Sequence, residues 1–242
     1  NKTIGIFYRI IRANADIYHV HYALQDAYIA LKLDKHPLVL TCCGTDVRDN
    51  LKSLKWKRIA KYNLKNADKV YCNQLNILDE AKEYNETAEY FPIPYDPVKF
   101  YPKPNATKSI VPIIFHPSRQ WWKVKENNKI FEALARLQRK HVFNVIAIRY
   151  GRDAAKSMQY CIKLGLHVHW IERVSHWEMA ELYATSDLVV GNAGVGQLDT
   201  IAIEGMACGK PVVHYVNPEY YKHVPLLHKN KVEAFAEQVE AF

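Results

Sequence analysis

Short apolar runs rich in β-branched and aromatic residues alternate along this chain with segments whose apolar positions recur every three or four residues. The runs at 17–21, 37–42, 69–72 and 88–92 read as strands, with helices at 23–33, 51–66 and 74–84 between them. A second series has strands at 111–116, 143–148, 167–171, 187–191 and 211–216 and helices at 127–138, 154–164, 176–185, 198–207 and 232–242. Such alternation predicts parallel sheets covered on both faces, an α/β fold whose ligands sit beyond the carboxyl ends of the strands. Ser175 with Glu178 three residues on forms a capping-box pattern, and Asp153 and Gly165 are placed to open and close the helix at 154–164. Five prolines between Pro92 and Pro104 remove backbone donors and disfavour helix. Residues 96–108 are therefore expected to link a unit at 1–95 to another at 109–242.

Composition narrows the classes. A chain of 242 residues with 49% hydrophobic and 24% charged residues can build a packed core and is not of the disordered type. No run of about 18 uncharged apolar residues occurs, and the opening NKTIGIFYRIIRANAD is charged too often for a secretory leader. The five cysteines show no CxxC spacing and mostly sit in apolar stretches, which predicts a reducing, cytoplasmic setting. A net charge of +8 favours an anionic partner: nucleic acid, an anionic membrane or a phosphorylated small molecule. The His-x-His pairs His19/His21 and His167/His169 each share a strand face, but spacing supplies no further ligand, so no metal is expected.

The stretch GNAGVGQLDTIAIEGMACGKPVV at 191–213 carries the chemistry. Gly191, Gly194 and Gly196 allow a tight turn and the close approach of a ligand, and the helix after it is expected to aim its first amides at an anion. Glu204 stands among Ile201, Ala202, Ile203, Met206 and Ala207, where an unpartnered carboxylate is costly. EGMACGKPVV at 204–213 resembles the second half of the donor-binding signature of family-4 glycosyltransferases, Glu-x7-Glu with a Met-Ala-x-Gly-x-Pro-Val tail. The resemblance implies a GT-B fold, two Rossmann-like βαβ units facing each other across a cleft, with the N-terminal unit incomplete. It also implies that Glu204 binds the donor ribose and that Gly196, Gln197 and Leu198 lie in the donor loop, with Gly196 standing where the signature has its first Glu.

The likeness extends outward. IIFHPSRQWWKVKENNKIFEALARL at 113–137 is similar to the family's strand, Arg, Lys-Gly and helix block, which makes Arg119 and Lys125 the clamp on the donor diphosphate; Glu126 replaces the Gly. The stretch 169–191 resembles the base-binding block, so the backbone at Arg173 and Val174 is expected to meet the base. DIYHVHY and PLVLTCCGTDVRDN resemble the acceptor-side strand pair, which places Gly44, Thr45 and His21 on the acceptor side and Asp46 with Arg119 and Lys125 among the catalytic groups.

What the resemblance implies is a retaining glycosyltransferase using a nucleotide-sugar donor and a glycan or lipid-linked acceptor, with no cofactor and no metal. The chain is short for that family, and residues are expected to be missing at both ends. Arg48, Lys52, Lys55, Lys57, Arg58, Lys61, Lys65 and Lys69 stand against only Asp49 and Asp68. This basic face on the acceptor side favours an anionic acceptor or membrane over nucleic acid, and hence a peripheral position at the inner face of a membrane. The apolar stripe of the same segment is expected to pack on the sheet. Two rival readings are a nucleotide-sugar epimerase of the same fold and a non-catalytic module that binds nucleotide sugars or nucleic acid.

Overall fold

Parallel pairing accounts for the apolar runs, because a strand covered on both faces has no polar side to show. The computed structural model describes all residues except Asn1, Asn105, Thr107, Lys108, Pro225, His228, Lys229 and Phe242, with Lys2 and Thr3 described by backbone alone. Two compact units divide the chain at Ile93/Pro94.

In the first unit, α1 (Lys2–Arg12), β1 (Tyr18–His21), α2 (Gln25–Lys32), β2 (Leu38–Cys42), α3 (Thr45–Arg48), α4 (Lys57–Asn66), β3 (Lys69–Cys72), α5 (Leu78–Lys82) and β4 (Glu89–Tyr90) follow in order. The four strands pair in parallel in the order β1-β2-β3-β4. Leu38, Leu40, Val70 and Cys72 from the sheet are buried with Ala27, Ala30, Ala60 and Leu64 from the helices. Helix α1 was not expected, and Ile4, Phe7, Tyr8 and Ile11 on it remain 39–57% exposed. The single helix expected at 51–66 is broken: a 3-10 turn at Asn50–Lys52 ends where Ser53 turns extended, and α4 begins only at Lys57. Leu51, Ala60 and Leu64 enter the core, whereas Leu54 in the break is fully exposed.

In the second unit the order is β5 (Ile113–His116), α6 (Trp122–Lys125), α7 (Asn127–Gln138), β6 (Asn144–Ile148), α8 (Ala154–Leu164), β7 (His169–Ile171), α9 (His176–Thr185), β8 (Leu188–Val190), α10 (Thr200–Ala207), β9 (Val212–Val213) and α11 (Val232–Glu240). The parallel sheet runs β7-β6-β5-β8-β9. The chain thus starts at the centre, moves outward through β6 and β7, and returns to the other side of β5 as β8. That reversal makes a topological switch point between β5 and β8, where the loops leave the sheet in opposite directions and open a crevice.

Ser175 caps α9 with both bonds of a capping box, its hydroxyl accepting from the Glu178 amide and Glu178 accepting from the Ser175 amide. Gly165 closes α8 in the left-handed conformation at φ +67°. Asp153 departs from its expected role: it precedes α8, but its carboxylate accepts from the Trp122 amide at 2.9 Å and caps nothing. Part of the stretch expected as a linker packs on this unit, for Phe100 is buried with its ring edge-on to Tyr183 at 6.0 Å.

Candidate functional site

At the carboxyl end of β5, His116 is fully buried and ties the switch point together. Its Nδ1–H donates to the Val190 carbonyl of β8 at 2.8 Å, and its Nε2 accepts from Asn127 Nδ2 at 3.3 Å. Burial pushes His116 down to about 4, so it stays neutral at physiological pH. Asn127, the first residue of α7, in turn accepts from the Trp121 amide at 3.1 Å and so fixes the loop that carries Arg119. Between α6 and α7, Glu126 adopts the left-handed conformation at φ +48°. This is the position where the resembling signature has Gly, and the backbone keeps the shape that glycine favours at a strain of about 1–2 kcal/mol for a residue with a Cβ.

The loop after β8 is pressed onto that turn. Ala193 N–H donates to the Lys125 carbonyl at 3.0 Å, and a Cβ at Gly194 would lie 1.7 Å from the Val124 carbonyl oxygen. Glycine is needed there for close approach of the protein to itself, which corrects the expectation that it makes room for a ligand. Opposing loops at the switch point leave a cavity of about 340 Å³ lined in part by Arg119, Lys125, Tyr150, Tyr183, Asp199 and Glu204.

Three residues singled out from the sequence therefore meet: Arg119, Lys125 and Glu204. Glu204 is 7% exposed and accepts from the Tyr183 hydroxyl at 3.2 Å; burial pushes its carboxyl up to about 7. Arg119 is exposed, with its guanidinium 4.6 Å from the centre of the Trp121 ring, as is that of Arg152. Lys125 donates to Asp199 Oδ2 at 2.7 Å. The sequence reading missed Asp199. Its Oδ1 accepts from the amides of Ile201 at 3.1 Å and Ala202 at 3.4 Å, the first turn of α10. The helix amides expected to face a ligand are thus already taken by the chain's own carboxylate. An Asp one residue before Thr200, the first residue of α10, is the available signal, since aspartate is a favoured N-cap; the helix begins two residues later than the expected 198 and leaves Asp199 as its cap.

Residues 102–242 match the family of glycosyl transferases group 1, and residues 3–74 match glycosyl transferase 4-like. The chain belongs to the group 1 glycosyl transferases. It is 23% identical over 218 residues to N-acetyl-alpha-D-glucosaminyl L-malate synthase of Bacillus anthracis, covering 84% of this chain but 57% of that protein. The chain therefore spans little more than half the length of that relative. Sucrose-phosphate synthase of Thermosynechococcus elongatus has a similar fold, with a TM-score of 0.79 at 17% identity over 99% of this chain and 67% of that one. Anabaena HepE in complex with UDP and glucose gives 0.78 at 17% identity over 99% and 70%. At these identities the likeness is one of fold, the GT-B fold.

Other residues expected at the donor site of this glycosyl transferase do not line the cavity with Glu204. Gly196, at φ +70°, backs onto Tyr215 and Asn217. Gln197 is buried, its carbonyl accepting from His214 Nε2–H at 2.9 Å and its side-chain oxygen from the Tyr221 hydroxyl at 3.1 Å. Leu198 is half-buried beside it. These residues hold the loop that presents Asp199. Arg173 is exposed over the Tyr150 ring at 5.3 Å, and Val174 is half-buried next to it.

The first unit carries its own strand-end cluster. Asp46 is fully buried, and its carboxylate accepts from the amides of Ala23 at 2.9 Å, Cys43 at 3.0 Å and Gly44 at 2.8 Å. Placed among the catalytic groups by resemblance, it is instead spent on fixing the loop, for a carboxylate with both oxygens on buried amides has none to offer a substrate. Burial raises its carboxyl, against the pull of those amides. Gly44 sits at φ +119°, and Thr45 Oγ1 shares a hydrogen bond of 2.6 Å with the Tyr22 hydroxyl. His21 is exposed with its ring 4.5 Å from that of His19, whose Nε2 bonds Thr41 Oγ1 at 2.8 Å. Among the described residues, no three His, Cys, Asp or Glu side chains are grouped as a metal ion would need, and no helix is long and apolar enough to cross a membrane.

Proposed function

We propose that this glycosyl transferase moves a sugar from a nucleoside-diphosphate donor to a hydroxyl of a glycan or lipid-linked acceptor, with retention at the anomeric carbon. The reading rests on one observation: Arg119 and Lys125 from the segment after β5, and Glu204 from α10 after β8, line a single cavity. As the bond from the sugar to the diphosphate breaks, negative charge grows on the departing oxygens. A guanidinium and an ammonium already positioned there stabilise that charge more in the transition state than in the ground state. An ionised Glu204 is suited to accept hydrogen bonds from the two ribose hydroxyls, which fixes the nucleoside end. In this reading the two side-chain cations serve where other transferases use a metal ion, and no cofactor is assigned.

The acceptor is assigned to the first unit, near Gly44, Thr45 and His21. The exposed Lys52, Lys55, Lys57, Arg58 and Lys65 form a basic surface suited to an anionic acceptor or to the inner face of a membrane. A thermal-shift screen with UDP-, GDP- and ADP-sugars identifies the donor, since a ligand that binds only the folded state raises the melting temperature. Transfer to a panel of hydroxyl acceptors, with the new linkage assigned by NMR, then tests the reaction. Retained anomeric configuration in a transfer product supports the reading. A donor epimerised without transfer would instead support the epimerase, and no shift with any donor would defeat the assignment.

A further inference from the structure

The two cations of the cavity are not equivalent. Arg119 has no carboxylate partner among the described residues, whereas Lys125 is held by Asp199 at 2.7 Å. We propose that Asp199 is a resident counter-anion that yields Lys125 to the donor's diphosphate on binding and takes it back as the nucleoside diphosphate leaves, thereby setting the rate of product release. The inference rests on the donor reading above and concerns the same cavity.

The carboxylate is built to stay in place while the lysine moves. Its Oδ1 is fixed by the Ile201 and Ala202 amides, and its Oδ2 also accepts from Asn192 Nδ2 at 2.5 Å. Withdrawal of Lys125 therefore leaves Asp199 with three donors, so no buried charge is stranded. Burial alone would raise Asp199, but with Lys125 in place that lysine and His214 beside it bring it down to about 2, so it is an anion in the resting site. Lys125 is the mobile partner by chemistry, an ammonium on a flexible stem with three rotatable donors, and its side chain is 21% exposed toward the cavity. A diphosphate offers more than one negative charge and outcompetes a single carboxylate on arrival. The same carboxylate lowers the net affinity for the diphosphate that remains after transfer, because the ammonium has somewhere to return.

Calorimetric titration and stopped-flow release of UDP, GDP, ADP and inorganic pyrophosphate test this in the wild type, Asp199→Asn, Lys125→Ala and the double variant. Asparagine keeps the cap on α10 while removing the charge. Asp199→Asn should bind its preferred nucleoside diphosphate about tenfold to a hundredfold more tightly, the span of one charge-assisted hydrogen bond, and release it correspondingly more slowly. That gain should vanish in the Lys125→Ala background, which a purely structural role for Asp199 would not produce. Asp199→Ser, another capping residue, replaces Asp199→Asn if the latter does not fold. Binding by the wild type with no gain in the variant, or a gain that persists without Lys125, overturns this inference alone. A wild type that binds no nucleoside diphosphate or pyrophosphate overturns the donor reading and this inference with it.

Discussion

Replacing Glu204 by glutamine should strengthen the fold and weaken nucleotide binding, opposite effects from one buried carboxylate. Burial lifts its carboxyl from an ordinary 4.5 to about 7, so at pH 8 the folded protein carries a charge it would rather not hold. An acid whose folded value is raised adds stability that is complete below pH 4.5 and is lost as the pH rises through 7. About 1.4 kcal/mol per unit makes that loss roughly 3 kcal/mol once both states are ionised. Glutamine keeps the volume, and its carbonyl can accept the same Tyr183 hydroxyl, but it never ionises. Glu204→Gln should therefore match the wild type at pH 4.5 and exceed it by about 2–3 kcal/mol at pH 8 in urea unfolding. Nucleotide affinity should move the other way. Loss of an ionised acceptor for the ribose hydroxyls costs about 1.5–3 kcal/mol, tenfold to a hundredfold in Kd by calorimetry at pH 8. Wild-type affinity should also climb as pH passes 7, and the variant's should not. A variant no more stable at pH 8 than the wild type would refute the burial argument, and one that binds nucleotides equally well would refute the ribose contact.

Arg119→Ala and Lys125→Ala should each lower kcat by roughly tenfold or more while changing KM less, because the charge they meet grows only as the bond breaks; normal turnover by both, measured on any accepted donor, removes them from the diphosphate clamp. Gly194→Ala places a methyl 1.7 Å from the Val124 carbonyl oxygen, so the turn bearing Lys125 must shift. A loss of about 1–3 kcal/mol in unfolding free energy is expected, with weaker nucleotide binding at the same time. The exposed lysines around α4 should draw the protein to anionic liposomes in co-sedimentation, with a response that fades as salt rises. Equal binding to neutral and anionic vesicles, or none to either, argues against a membrane surface there.

Features set within one segment were legible from the residues alone. The capping box at Ser175, the glycine stop at Gly165 and the apolar runs of the parallel strands depend on neighbours a few positions away, and all three take the form their spacing implies. The motif around Glu204 placed that residue on the helix after β8, where it stands in the second turn of α10, and its apolar neighbours already signalled a costly buried carboxylate. Which charge meets which was a different matter. Asp153 caps nothing because the Trp122 amide, 31 residues away, reaches its carboxylate first. Asp46 is spent on three amides from two loops. Lys125 and Asp199 lie 74 positions apart and become partners only because β5 and β8 are adjacent in the sheet and Gly194 lets their loops touch. Hydrophobic spacing selects the fold through many weak, local and additive preferences. A charge pair depends on the last few ångströms between loops brought together from distant parts of the chain, and that distance is set by packing alone.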